Sequence, residues 1–301
     1  MEYTCTVMAI YNLGSINIDY IYGLPHLVTA GETLAAMRYD AVLGGKGANQ
    51  SIAIAKAGGT VFHAGMIHRD DADWLKPLHA AGVDTNAVLH GDTPTGHAIV
   101  AVDDDSDHRG ENQIILAPLS NQVLPSALIG ELLQTATAGD WALAQNETNL
   151  TADFFTAAKT RGLHICYSAA PFVVDTTLAL LPIIDVLIVN NIEAEALSHA
   201  TSKPVDQLNI PHLIITHGAA GANYSGMDGK FHIPAVQVAA VDTTGAGDTY
   251  LGYVLAQLDQ HIPMKTAMQI AAAAAAIQVT RHGASAAIPD MAETQASQPA
   301  K

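Results

Sequence analysis

Short runs rich in β-branched and aromatic residues recur along the chain at 7–13, 61–67, 141–144, 164–167, 186–189 and 213–216. They lead into stretches whose apolar residues return at helical spacing, at 47–57, 71–80, 125–135, 152–160, 191–200 and 249–258. A strand followed by a helix, many times over, predicts an α/β fold with a mostly parallel sheet, because each crossover helix carries the chain back to the edge it left. Two stretches break the rule. Residues 17–43 and 93–117 hold alternating segments with no long helix between them, and they are expected to pair into a small separate sheet. Within the second, Asp103-Asp104-Asp105-Ser106-Asp107 reads as a solvated turn between 99–102 and 113–116, with a carboxylate metal site as the alternative. The alanine run at 271–276 has high helix propensity, and its small side chains let a neighbouring backbone approach. From about residue 290 the chain is polar and aperiodic, so one domain over 1–290 and a frayed tail over 291–301 are expected.

The length of 301 residues, with 49% apolar, suits one large core. A formal charge of −16, with only 13 basic residues, argues against nucleic acid or a membrane surface as partner, since both need clustered cations. A phosphate-handling protein of this charge must attract its ligand locally, through backbone N–H groups, helix N-termini and bound cations. Cys5 and Cys166 are too few and too far apart for a disulfide framework and are expected to be buried, inert thiols. No basic leader precedes an apolar run at the N-terminus and no apolar stretch reaches the ~18 residues that span a bilayer, so a cytoplasmic protein is expected. Without a secretory signal, the acceptor-like strings at Asn146 and Asn149 carry no weight as glycosylation sites.

The chemistry concentrates in two glycine turns. Val241-Asp242-Thr243-Thr244-Gly245-Ala246-Gly247-Asp248-Thr249 follows a strand-like run and opens a helix, whose free N–H groups and dipole would stabilise an anion. A carboxylate at Asp248 beside phosphate is unfavourable unless it removes a proton from an attacking hydroxyl; the alternative is that Asp248 simply caps the helix. Gly44-Gly45-Lys46-Gly47-Ala48-Asn49-Gln50 is a second such turn, carrying an ammonium and an amide suited to sugar hydroxyls or phosphate. It is not a Walker A loop, because Lys46 is followed by Gly47 rather than Ser or Thr, and no Gly-x-Gly-x-x-Gly dinucleotide fingerprint is present. The 14 histidines have no zinc-like spacing, and no Gly-x-Ser-x-Gly elbow supports a hydrolase. Asn17, Asp19 and Glu147 read equally well as turn or capping residues and as ligands.

Gly-Ser-Ile-Asn-Ile-Asp at 14–19, GGKGANQ at 44–50, NNIEAE at 190–195 and DTTGAGDT at 242–249 resemble, in order and spacing, the ribokinase-like (PfkB) carbohydrate kinase family. Pro94-Thr95-Gly96 and Thr280-Arg281-His282-Gly283 extend the resemblance over about 7–289. It implies a three-layer α/β/α core of about nine strands with a small β-sheet lid that also mediates a homodimer. It implies a sugar held by Asn17, Asp19, Gly45, Lys46, Gly47, Asn49 and Glu147, with Asp248 as base and Gly245, Ala246 and Gly247 as anion hole. The nucleotide would lie on Asn190, on the turn Thr216-His217-Gly218-Ala219-Ala220-Gly221 and on Gly247. Mg2+ accompanying ATP would be placed by Glu193, through water; read without the resemblance, Glu193 is a solvated helix residue. A monovalent cation, K+, would sit among Asp242, Thr244, Gln278, Arg281, Gly283 and Ala287, mainly on backbone oxygens.

Four departures stand out: Ala287 where such kinases often have Ser, Ala272 near the adenine, Pro118-Leu119-Ser120 before Asn121, and Ile18 beside the sugar. The reaction implied is ATP-dependent phosphorylation of D-ribose at its 5-hydroxyl. The alternatives are a family kinase acting on a nucleoside, fructose or keto-deoxy sugar acid, and a non-catalytic sugar sensor on the same fold.

Overall fold

A computed structural model describes residues 8–105 and 111–297. The chain runs β1 (Ile10–Leu13), β2 (Asn17–Leu24), β3 (Arg38–Gly44), α1 (Lys46–Lys56), β4 (Val61–His68), α2 (Lys76–Ala81), β5 (Asp84–Gly91), β6 (Gly96–Asp103) and β7 (Asn112–Ala117). It continues through α3 (Ala127–Leu132), β8 (Trp141–Gln145), α4 (Thr151–Thr160), β9 (His164–Ser168), α5 (Val174–Leu180), β10 (Val186–Asn190), α6 (Asn191–Thr201) and β11 (His212–Thr216). It ends with β12 (Ala222–Gly226), β13 (Gly229–Ile233), α7 (Ala246–Asp259), α8 (Met264–Gln278) and α9 (Met291–Ala296).

Nine strands form the main sheet in the order β13-β12-β11-β10-β9-β8-β1-β4-β5. The pairs from β11 to β5 are parallel, and β12 and β13 add an antiparallel edge. Alternate strand residues point to opposite faces. Ile10, Leu143, Cys166, Val186 and Ile214 therefore meet α1, α7 and α8, while Tyr11, Ala142, Ile165, Leu187 and Leu213 meet α3, α4 and α6. The three-layer α/β/α core follows from that alternation. Ala271 and Ala274 of α8 are buried in the same cluster as Tyr253 and Val254 of α7, the close approach that the alanine run predicts.

The two irregular stretches form a second sheet, in the order β3-β2-β6-β7. The acidic turn is described only to Asp105; Ser106 and Asp107 lie outside the described residues, as does Cys5. Asp104 is held by the Arg38 guanidinium at 3.1 Å. Cys166 is buried, and that burial pushes its thiol up, as an inert cysteine requires. No helix among the described residues is long and apolar enough to cross a membrane.

The tail departs from expectation. Residues 291–296 are helical, because Asp290 and Glu293 form a reciprocal capping box with bonds of 2.8 and 3.0 Å. Buried Thr294 docks the helix by donating to the Tyr253 hydroxyl at 3.2 Å, and Arg281 pairs with Glu293 at 2.7 Å. The Asp-x-x-Glu signature was the available signal.

Candidate active site

The strand order reverses between β1 and β8: from β1 the chain builds outward to β4 and β5, and from β8 outward to β9, β10 and β11. Such a switch point opens a crevice at the carboxyl ends of the strands. The segments leaving β1 and β8 there carry Ser15 and Glu147. Glu147 accepts hydrogen bonds from the Ser15 hydroxyl and, at 3.0 Å, from the backbone N–H of Lys46. Gly47 brings α1 in against β1, since a Cβ there would collide with the backbone of Gly14 and Ser15. Ala48 N–H then reaches the Ser15 carbonyl at 2.9 Å.

Across the crevice, α7 is preceded by Gly245, whose φ of 75° is a left-handed conformation open to glycine. No side chain caps this helix, so its leading N–H groups, that of exposed Gly247 included, lack partners within it. Asp248 is therefore not a cap. It is 8% exposed and turns toward α1, where Oδ2 accepts from Asn49 Nδ2 at 3.1 Å and Oδ1 from Gln50 Nε2 at 2.8 Å. Burial pushes its carboxyl above the ordinary range, against the pull of Lys46 and the two amides. The Lys46 ammonium is held above its ordinary value by Asp248 foremost, and by Glu147, Glu193 and Asp19, against its own burial. Burial also raises Glu147, and burial with the Glu147 charge lifts Asp19 to about 6.

Asn17 is buried, and its Oδ1 accepts from Asn121 Nδ2 at 2.8 Å. Asn121 in turn grips the backbone N–H and carbonyl of Ile16 at 3.0 and 3.2 Å. A cavity of about 160 Å³ opens between the small sheet and the core, walled by Asn17, Leu116, Pro118, Asn146, Glu147 and Pro171. That is the volume of roughly five waters, the scale of a small sugar. A larger cavity of about 360 Å³ lies beside Lys159, Asp185 and Pro211, at the amino ends of the strands and away from these groups, so the geometry of the crevice outweighs its size.

The second group of expected residues lies at the ends of β10 and β11, where Asn190 and Thr216 are in register. Asn190 and Glu193 close a capping box on α6, with bonds of 2.8 and 2.9 Å. Burial raises the Glu193 carboxyl, while the Asn190 N–H and Lys46 draw it down. After β11, the His217 N–H donates to the Gly221 carbonyl at 2.8 Å and closes a turn whose residues Gly218, Ala219 and Ala220 are exposed. Gln237 ties this turn to the 234–245 segment by donating to the Ala219 carbonyl at 3.3 Å. Val236, Val238 and Val241 of that segment are exposed, an apolar strip beside the turn.

No group of three or more potential metal ligands exists among the described residues, so there is no all-protein cage. Glu193 nevertheless suits Mg2+, which keeps much of its water and binds through one or two carboxylates plus phosphates. The set for K+ fits less well. Thr244 carbonyl accepts from Gln278 Nε2 at 2.9 Å, and Asp242 is occupied by the N–H groups of Thr244 and Gly283 at 2.9 Å each.

Sequence reasoning did not single out Ser15, Gln50, Asn121 and Gln145. Gln50 Oε1 accepts from Gln145 Nε2 at 2.7 Å, and Gln145 also donates to Asn12 Oδ1 at 3.0 Å. Asn12 donates to Ser51 at 2.8 Å, which lies 2.9 Å from His63 Nδ1. Burial pulls His63 down to about 4, so the imidazole is neutral at pH 7 and ends a buried, uncharged chain behind Asp248.

The profile of the pfkB family carbohydrate kinases matches residues 9–291. The chain is 33% identical to the ribokinase of Haemophilus influenzae over 297 residues, covering 94% of this chain and 95% of that protein. Its structure resembles Cryptococcus neoformans ribokinase in complex with ADP, with a TM-score of 0.83, 30% identity and coverage of 97% and 100% of the two chains. It also resembles Arabidopsis thaliana ribokinase complexed with ribose and ATP, with a TM-score of 0.83, 25% identity and coverage of 97% and 99%.

Proposed function

The chain belongs to the pfkB family of ATP-dependent carbohydrate kinases, and from that premise we propose that it phosphorylates D-ribose at the 5-hydroxyl with Asp248 as general base. The observation that carries the reading is the Asp248 carboxylate itself, which is buried, free of capping duty, held by two amides from α1 and adjacent to the uncapped start of α7. A carboxylate so placed can take the hydroxyl proton as the new P–O bond forms. Gly245, Ala246 and Gly247 offer backbone N–H groups to the charge that develops on the transferred phosphoryl group. Asn17, Asp19, Lys46, Asn49 and Glu147 supply donors and acceptors for the sugar hydroxyls, and the small sheet closes over them to exclude water. Asn190 and the 216–221 turn hold the nucleotide, with the valine strip of 236–241 against its base. Glu193 would hold magnesium through water, and the ion would supply positive charge to the nucleotide phosphates.

The exposed Tyr39, Ile99 and Ile115, on one face of the small sheet, support a homodimer through that sheet, which sedimentation analysis would show as twice the 31.4 kDa chain mass. Buried, unpaired Cys166 suits a cytoplasmic location. The test of the activity is ADP release from ATP across pentoses, hexoses and nucleosides, with the product identified. D-Ribose giving the highest kcat/KM, and ribose 5-phosphate as product, is the expected outcome. A nucleoside or fructose outranking ribose overturns the substrate; no phosphorylated product from any acceptor overturns the kinase.

A further inference from the structure

The loop from Asp242 to Gly247 has to be held in shape for its N–H groups to converge, and family resemblance assigns that task to a monovalent cation. In this chain a side chain occupies one of those oxygens, the Thr244 carbonyl. Gln278, the last residue of α8, is fully buried. Its Nε2 donates to the Thr244 carbonyl at 2.9 Å and to the Ala284 carbonyl at 3.4 Å, joining the two segments that would share the ion. The same nitrogen lies 3.0 Å from where a Cβ on Gly245 would be, so it packs against the residue that precedes α7. Two more of the expected ligands are engaged as well. Both Asp242 oxygens accept backbone N–H groups, and the Ala287 carbonyl receives Arg281 Nη1 at a long 3.5 Å. Ala287 itself brings no oxygen on its side chain.

We propose that the Gln278 amide replaces the monovalent cation, making Gln278 a positioning residue that holds the anion-hole loop by hydrogen bonds. The proposal rests on the kinase reading for the role of that loop. An amide NH2 carries two donors and partial positive charge, so it can serve two converging carbonyls as a weakly hydrated cation would, without needing the ion. The reverse orientation would set Gln278 Oε1 against the Thr244 and Ala284 carbonyl oxygens, a repulsion only an intervening cation could relieve. Its Oε1 is buried without a hydrogen-bond partner among the described residues, and both bonds the side chain makes come from its donor end.

The experiment compares KCl with tetramethylammonium chloride at equal ionic strength, reading kcat and melting temperature for the wild type, Gln278→Ala and Gln278→Met. The wild type is expected to give the same kcat and the same Tm in both salts. Q278A opens the space and is expected to lose about tenfold in kcat without potassium. KCl should restore that loss and raise its Tm by roughly 2 °C. Q278M fills the space without a donor and is expected to be as slow as Q278A and to stay slow in KCl. Potassium activation or stabilisation of the wild type, a wild-type kcat in Q278M, or Q278A unmoved by KCl would each overturn the proposal. If no acceptor is phosphorylated, the kinase reading fails on its own, and the melting comparison still decides whether Gln278 excludes the ion.

Discussion

The two halves of the crevice are built by different means. On the sugar side, four of the expected residues are tied by side-chain bonds between distant elements: Asp248 to Asn49 and Gln50, Glu147 to Ser15 and Lys46, Asn17 to Asn121. On the nucleotide side the turn 218–220 and the strip 236–241 are exposed, and their internal bonds are mostly local. Buried bonds in low dielectric fix geometry and are costly to break, whereas exposed backbone turns tolerate change. The difference teaches where catalysis and where binding should reside: substitutions on the buried side should reach kcat, and those on the exposed side chiefly the KM for ATP.

Asp248→Asn gives the largest effect. It keeps the shape and removes the proton acceptor, so kcat is expected to fall about 10²- to 10⁴-fold with little change in the KM for ATP. Gln50→Leu comes next. It leaves Asp248 Oδ1 and Gln145 without their partner, at a cost of about 1–3 kcal/mol, and steady-state kinetics should show kcat lowered roughly 10- to 100-fold. A Q50L enzyme with only its ATP KM altered would erase the contrast between the halves.

Asp19→Asn sharpens the contrast on the binding side of the sugar. Losing a charged acceptor should raise the KM for D-ribose about tenfold. Its stability should move the other way. The folded pKa of about 6 lies above the ordinary 3.8, so the folded state holds this proton longer, and stability is lost as pH rises through that window. Asparagine cannot ionise, and the variant should melt higher than wild type at pH 7 and no higher at pH 3. The smallest effect is expected of Asn190→Ala, which removes the α6 cap at about 1 kcal/mol and should raise the KM for ATP a few-fold at nearly constant kcat.

The alternation of strands and helices was legible because each element repeats its own period, and six main-sheet strands could be placed that way. β5, β12 and β13 were not: the edge strands β5 and β13, with polar residues such as Asp84-Thr85-Asn86 or Gly229-Lys230, lack a buried face on which a period could show, and β12 is a short strand beside β13. The glycine turns were visible as turns, but Asp248 as cap or base could be separated only by its partners, 199 and 198 residues away along the chain. The amide chain through Gln50, Gln145 and Asn12 has no sequence signature at all, because amides pair across strands and helices at no fixed spacing. Gln278 was legible only as a backbone ligand; the reach of its side chain to Thr244 appears once α8 is placed beside α7.

The base assignment is tested most directly by the single-turnover rate of phosphoryl transfer from ATP to D-ribose, measured against pH for the wild type and Asp248→Asn. Burial raises the Asp248 carboxyl, and a protonated carboxyl cannot accept the hydroxyl proton. The wild-type rate should therefore fall as pH is lowered, along an acid limb above the ordinary aspartate range. The variant should be slow and should lack that limb. A variant that transfers phosphate at close to the wild-type rate, or that keeps the same acid limb, would contradict the assignment.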